Sequence, residues 1–74
     1  MHYTERLKNL REDNDLKQEA VAITLKITRQ QYQLYESGKR KLPLEHFKTL
    51  CEFYNVSADY ILGFTNELKP LPKK

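Results

Sequence analysis

Apolar residues along this chain recur at intervals of three and four, and no stretch alternates apolar and polar over the length of a strand. That periodicity predicts five helices and no sheet. In the first, Leu7 and Leu10 form the inward stripe, with Lys8, Asn9 and Glu12 outward. Met1 to Tyr3 reads as a short lead. Thr4 is placed to cap the helix, with Glu5 in its first turn, where a negative charge suits the helix dipole. Asp13-Asn14-Asp15 should end it, with Asn14 as a left-handed cap, and Leu16 reads as a buried anchor in the turn. A second helix, from about Lys17 to Leu25, turns Val21, Ala22 and Leu25 inward. Its start is weak, because Lys17 stands where a capping side chain would be useful, and the pattern gives no account of Ile23 on its outer face.

Lys26 and Ile27 form the turn into a third helix. So short a link makes the two helices cross at a steep angle, as in a helix-turn-helix. Thr28 is a cap for the third helix, leaving Arg29 in its first position. Tyr32 and Tyr35 share one side of it, while Gln30, Gln33, Leu34 and Ser37 share another. Gly38 stops the helix, and Lys39, Arg40 and Lys41 follow at once. Pro43 should start a fourth helix, with Glu45 in its first turn and Leu44, Phe47, Leu50, Cys51 and Tyr54 as its buried stripe. Asn55 is its expected terminator. Ser57 caps a short fifth helix with Asp59 in its first turn, and Ile61 and Leu62 should pack inward before Gly63. Phe64 to Lys74, with two prolines and three lysines, reads as a tail.

Charge changes this picture at one place. The formal net charge of the 74 residues is only +3, but it is not evenly spread. Residues 26–41 carry five Lys/Arg and one Glu, whereas residues 1–25 carry four basic and five acidic groups and residues 42–74 four of each. The third helix alone reads equally as a solvated surface helix or as a probe for a DNA groove; the clustering of positive charge is the footprint of a phosphate binder and favours the probe.

Composition excludes more than it identifies. With 39% apolar and 31% charged residues the chain is globular and sized for one domain with one core, suited to a packed helical bundle or a dimer. It contains no apolar run near the length of a membrane span and no signal-peptide pattern, so a cytoplasmic protein is expected. The single cysteine, Cys51, cannot form an internal disulfide and reads as a small core residue. Nothing resembles a Gly-rich phosphate loop, a nucleophile elbow or an acidic pair, so no enzyme and no cofactor are expected. His2 falls in a mobile end, and His46 and Cys51 are five apart and off one helical face, so no metal site is expected. No ligand-sensing domain fits in the length, so no small-molecule ligand is expected.

From about Thr4 to Gly63, roughly four-fifths of the chain, the sequence resembles the Cro/CI-like helix-turn-helix family, also called lambda-repressor-like or Xre. The fragments that carry the resemblance are Arg11, Gln18-Glu19-Ala20-Val21-Ala22, Leu25-Lys26-Ile27-Thr28-Arg29, Tyr35-Glu36-Ser37-Gly38-Lys39 and the closing Asn55 to Gly63. It implies an all-α, five-helix domain over residues 1–64 with a short basic tail over 65–74, and a bacterial or phage regulator, a repressor, binding double-stranded DNA as a homodimer. It further implies that Arg29, Gln30, Gln31, Gln33 and Leu34 read bases from the helix spanning residues 28–36. Gln31 would lie near backbone or base, and Leu34 could meet only a thymine methyl or another apolar surface. Gln18, Thr28, Lys39, Arg40 and Lys41 would lie on phosphates, the last three partly through backbone N–H groups. Ala22 would let helices two and three approach closely, and Arg11 and Glu36 would form a semi-buried ion pair. Phe64, Leu68 and Leu71 are candidates for the dimer contact, as apolar residues in a polar tail. Two positions depart from the family pattern, Lys26 where a glycine is usual and Lys17 where a serine or threonine is usual. The competing reading is a protein-interaction module on the same fold, antitoxin-like or partner-regulated.

Overall fold

The computed structural model describes residues 2–68. They form five helices, α1 (Tyr3–Asp13), α2 (Gln18–Leu25), α3 (Arg29–Glu36), α4 (Leu44–Tyr54) and α5 (Ala58–Leu62), and no strand occurs among the described residues. α2 packs chiefly on α3, and α1 bridges α3 and α5, so α3 is held from two sides with its outer face open. Leu7, Leu10, Val21, Ala22, Leu25, Tyr32, Leu50, Val56 and Ile61 meet in one buried core with Cys51 at its margin.

Four of the five helices end the same way. After α1, α2, α4 and α5 the residues Asp15, Lys26, Asn55 and Gly63 take positive φ values of 56°, 59°, 54° and 85°. In each case the next residue, Leu16, Ile27, Val56 or Phe64, donates its N–H to the carbonyl five residues back and closes the turn, onto Arg11, Ala22, Cys51 and Asp59 respectively. This is the Schellman arrangement, which satisfies carbonyls that the helix end leaves unpaired and places an apolar residue just past the stop. Only one of the four positions is glycine. At the other three a side chain sits in the left-handed region at a cost of roughly 1–2 kcal/mol, offset by the recovered hydrogen bonds and by the packing of the apolar residue that follows.

Several expectations are corrected. α1 begins at Tyr3, and its cap is His2, whose Nδ1 accepts from the Thr4 N–H; Thr4 lies within the helix, so neither the lead nor the mobile end described above holds for His2 and Tyr3. Asn14 is not left-handed: its side chain donates to the Leu10 carbonyl and keeps it at φ −98°, which passes the left-handed turn to Asp15. Leu44 is 78% exposed, and Leu62 is also largely exposed. Leu44 opens α4 beyond the reach of its neighbours, and the two leucines line an open apolar cleft with Tyr3, Leu42 and Phe47 rather than the core.

One buried charge was not visible in the pattern. Arg6 is only 8% exposed, lies 4.4 Å over the Tyr60 ring and donates through Nη2 to Asn66 Oδ1. A single α1 side chain thereby ties α5 and the segment after Gly63 to the body, by a cation–π contact and a charge-assisted hydrogen bond.

Candidate nucleic-acid interface

α3 is built to present one face and bury the other. Its start is fixed by a reciprocal capping box: Thr28 Oγ1 accepts from the Gln31 N–H at 3.1 Å, and Gln31 Oε1 accepts from the Thr28 N–H at 3.1 Å. Tyr32, Tyr35 and Glu36 point inward and are buried. The helical period then leaves Arg29, Gln30, Gln31 and Gln33 exposed on the other side, with Leu34 half-buried at its edge.

The inner face is anchored by charge. Arg11 Nε lies 3.0 Å from Glu36 Oε2 and Arg11 Nη2 lies 2.9 Å from Glu36 Oε1, a two-pronged pair that joins α1 to the last turn of α3. The third arm, Arg11 Nη1, donates to the Leu16 carbonyl at 2.9 Å, so the same guanidinium holds the loop into α2. Burial pushes the Glu36 carboxyl up, but its hydrogen bonds and charge contact with Arg11, with help from Tyr32 and Gln18, outweigh it and hold the carboxyl below its ordinary value. The hydroxyls of Tyr32 and Tyr54 are buried in the same region without hydrogen-bond partners of good geometry. Burial raises both, with the Glu36 charge adding to it, and Tyr54 is pushed up to about 12.

The basic turn follows directly. Gly38, at φ 81°, donates to the Tyr35 carbonyl, and the Arg40 N–H returns to the Leu34 carbonyl at 3.2 Å. Lys39, Arg40 and Lys41 are exposed beside the end of α3. The Arg40 N–H is thus committed within the turn, and its guanidinium is exposed. Thr28 is exposed at the opposite end of α3. Gln18, half-buried at the start of α2, donates through Nε2 to Glu36 Oε1 at 3.4 Å, a partner eighteen positions away that no local pattern could have suggested.

The turn between α2 and α3 is closed by Lys26 in the left-handed conformation that glycine would adopt more cheaply. Ala22 is buried on α2, and only Lys26 to Thr28 link that helix to α3. Residues 4–67 match the family described as "Helix-turn-helix domain". The chain belongs to that family. With five helices and this motif at α2–α3 it is a Cro/CI-like, lambda-repressor-like helix-turn-helix, a DNA-binding class rather than an enzymatic one.

The helix-turn-helix is similar to three named regulators. It is 38% identical over 68 residues to the uncharacterised HTH-type transcriptional regulator YobD of Bacillus subtilis, covering 92% of this chain and 61% of that protein. It is 34% identical over 63 residues to the HTH-type transcriptional activator BcrR of Enterococcus faecalis, covering 85% of this chain and 31% of that protein. It is 38% identical over 64 residues to the prophage-derived regulator YonR of Bacillus subtilis, covering 86% of this chain and 59% of that protein. The chain thus spans about three-fifths of two of these relatives and under a third of the other. No solved structure gives a significant match. No described helix is long and apolar enough to cross a membrane.

Proposed function

We propose that this domain binds double-stranded DNA sequence-specifically for a cytoplasmic transcriptional regulator, laying α3 in the major groove. The observation that carries this is the exposed row of Arg29, Gln30 and Gln33 on a helix pinned from behind by Glu36, with three consecutive basic residues at its end. Arg fits guanine O6/N7 and Gln fits adenine N6/N7, each by two bonds, and Leu34 at the edge of the row suits a thymine methyl. Lys39, Arg40 and Lys41 supply phosphate contacts from side chains; Thr28 supplies another from the start of α3. Gln18 reaches a phosphate only by turning the second hydrogen of its amide outward while keeping Glu36.

Repression is the reading adopted for the regulatory effect, because occupancy of the groove is sufficient for it. Activation, the role in the name of the Enterococcus relative, needs a further contact with the transcription machinery. One module of this size buries roughly 600–1,000 Å² on DNA, so tight binding calls for two copies on half-sites about 10 base pairs apart. Phe64 and Leu68, 78% and 59% exposed, are the candidates for the contact between copies; Leu71 lies outside the described residues.

A second reading is favoured by one feature, the open apolar cleft of Tyr3, Leu42, Leu44, Phe47 and Leu62, which suits a protein partner. Selection of bound duplexes from a random DNA pool, followed by sequencing, separates the two. A palindrome with half-sites one helical turn apart supports the dimeric reader. A lone half-site supports a monomeric reader, and no enrichment by the folded chain moves the assignment to the protein-interaction module.

A further inference from the structure

We infer that Tyr3 is a positioning residue for DNA binding: its hydroxyl fixes the far end of the basic turn and so aims Lys41 at the phosphate backbone. This rests on the proposal that α3 faces the groove with residues 39–41 beside it. The turn is tied to the body at alternate residues. Gly38 and Arg40 donate their N–H groups to the Tyr35 and Leu34 carbonyls at the end of α3, each at 3.2 Å. Leu42 donates its N–H to Tyr3 Oη, 3.5 Å away and 39 positions earlier in the chain. Pro43 follows and has no N–H to give. Among the described residues Lys41 makes no hydrogen bond, so its placement depends on the Arg40 tie before it and the Leu42 tie after it.

The Tyr3 ring is itself held. It opens α1, which is capped by His2, and the His2 ring stacks on it with centroids 4.7 Å apart. Tyr3, Gly38, Lys41 and Leu42 all line the same cleft. A phenylalanine would line that apolar cleft equally well; what the hydroxyl adds is an acceptor for the turn. A turn already held in its binding shape gives up less freedom when DNA arrives, and the difference appears as affinity.

The test is Tyr3→Phe, which keeps the ring and removes the acceptor, with Tyr60→Phe as the control deletion of a hydroxyl. Hydrogen exchange read by NMR reports on the bond itself: the Leu42 amide exchanges faster in Tyr3→Phe. Binding to selected duplexes, at a temperature where every variant is fully folded, weakens about two- to tenfold with the same consensus. Tyr60→Phe binds as the wild-type chain does. Double-mutant cycles then identify the route. The Tyr3→Phe loss shrinks when Lys41 is already alanine and adds in full to Gln30→Ala, whereas a purely structural role would add equally to both. The inference is overturned if Leu42 exchange or DNA affinity is unchanged in Tyr3→Phe, if the consensus changes, or if the loss adds in full to Lys41→Ala. Lys41→Ala and Gln30→Ala alone keep the two layers apart: if they weaken binding while Tyr3→Phe does not, only Tyr3 is misassigned, and if neither weakens it, the groove-facing reading of α3 falls as well.

Discussion

Arg11 and Glu36, on α1 and at the end of α3, form a two-pronged ion pair whose side chains are 14% and 5% exposed. Because Arg11 also holds the Leu16 carbonyl and Glu36 also accepts from Gln18, the pair fixes the angle at which α3 leaves the body. Removing one partner strands the other charge away from water, at a cost of roughly 3–5 kcal/mol. Glu36→Ala is therefore expected to lower the urea midpoint strongly, while Glu45→Ala, at an exposed position in the first turn of α4, changes it little. Equal midpoints would refute the role given to the pair.

The same carboxylate gives the fold an acid limit. Glu36 has its folded value below the ordinary 4.5, so its contribution is complete above about that pH and is lost as the pH falls through the folded value. Thermal stability measured from pH 6 to pH 3 should drop more steeply for the wild-type chain than for Glu36→Gln. At the alkaline end the sign reverses: burial raises Tyr54 to about 12, so the stability tied to its neutral form is lost from about pH 10 upward through that value. Tyr54→Phe should flatten that alkaline loss.

Lys26 marks a place where the chain carries avoidable strain. At φ 59° it occupies a conformation that glycine adopts freely, and Lys26→Gly is expected to stabilise the domain by about 1 kcal/mol. Denaturant unfolding checks this. A loss of stability would mean that the lysine stem contributes packing greater than the strain. Gly38→Ala is expected to act in the opposite direction, through its φ of 81° alone, because an added Cβ would sit 3.8 Å from Thr4 Cγ2, an ordinary contact.

Much of this was legible in the sequence, for reasons that can be named. The Thr28 cap, the shared face of Tyr32 and Tyr35, the end of α4 at Asn55 and the Ser57 cap are local events, set by residues within one or two turns. What the pattern missed depends on distant neighbours. Leu44 sits in register with Phe47 and Leu50, but periodicity cannot say that nothing covers the first turn of α4. Arg6 reads as a solvent-facing helix residue until α5 and Asn66 fold over it. Within the interface, the exposed row on α3 was legible, whereas the Gln18–Glu36 contact and the occupied Arg40 amide are matters of geometry.

Reading and clamping should separate by mutation. Gln30→Ala is expected to relax base preference at one position of the selected site and to leave the salt dependence nearly unchanged. Lys39→Ala should weaken binding to all sequences alike and reduce the slope of log affinity against log salt by about one unit. Identical behaviour of the two variants would overturn the division of roles between α3 and the basic turn.

Self-association is the remaining claim with a sharp test, and the choice of variant matters. Truncating at residue 64 would remove Asn66, the hydrogen-bond partner of buried Arg6, and so confuse assembly with folding. Phe64→Ser with Leu68→Ser keeps that bond while removing two exposed apolar side chains among the described residues after α5. If copies meet through this segment, the double variant sediments as a lighter species at the same concentration and loses the preference for a two-fold site, while still binding a half-site. Unchanged sedimentation with a retained melting temperature would move the dimer contact elsewhere, and the apolar cleft of Leu42, Leu44 and Leu62 would be the next surface to test.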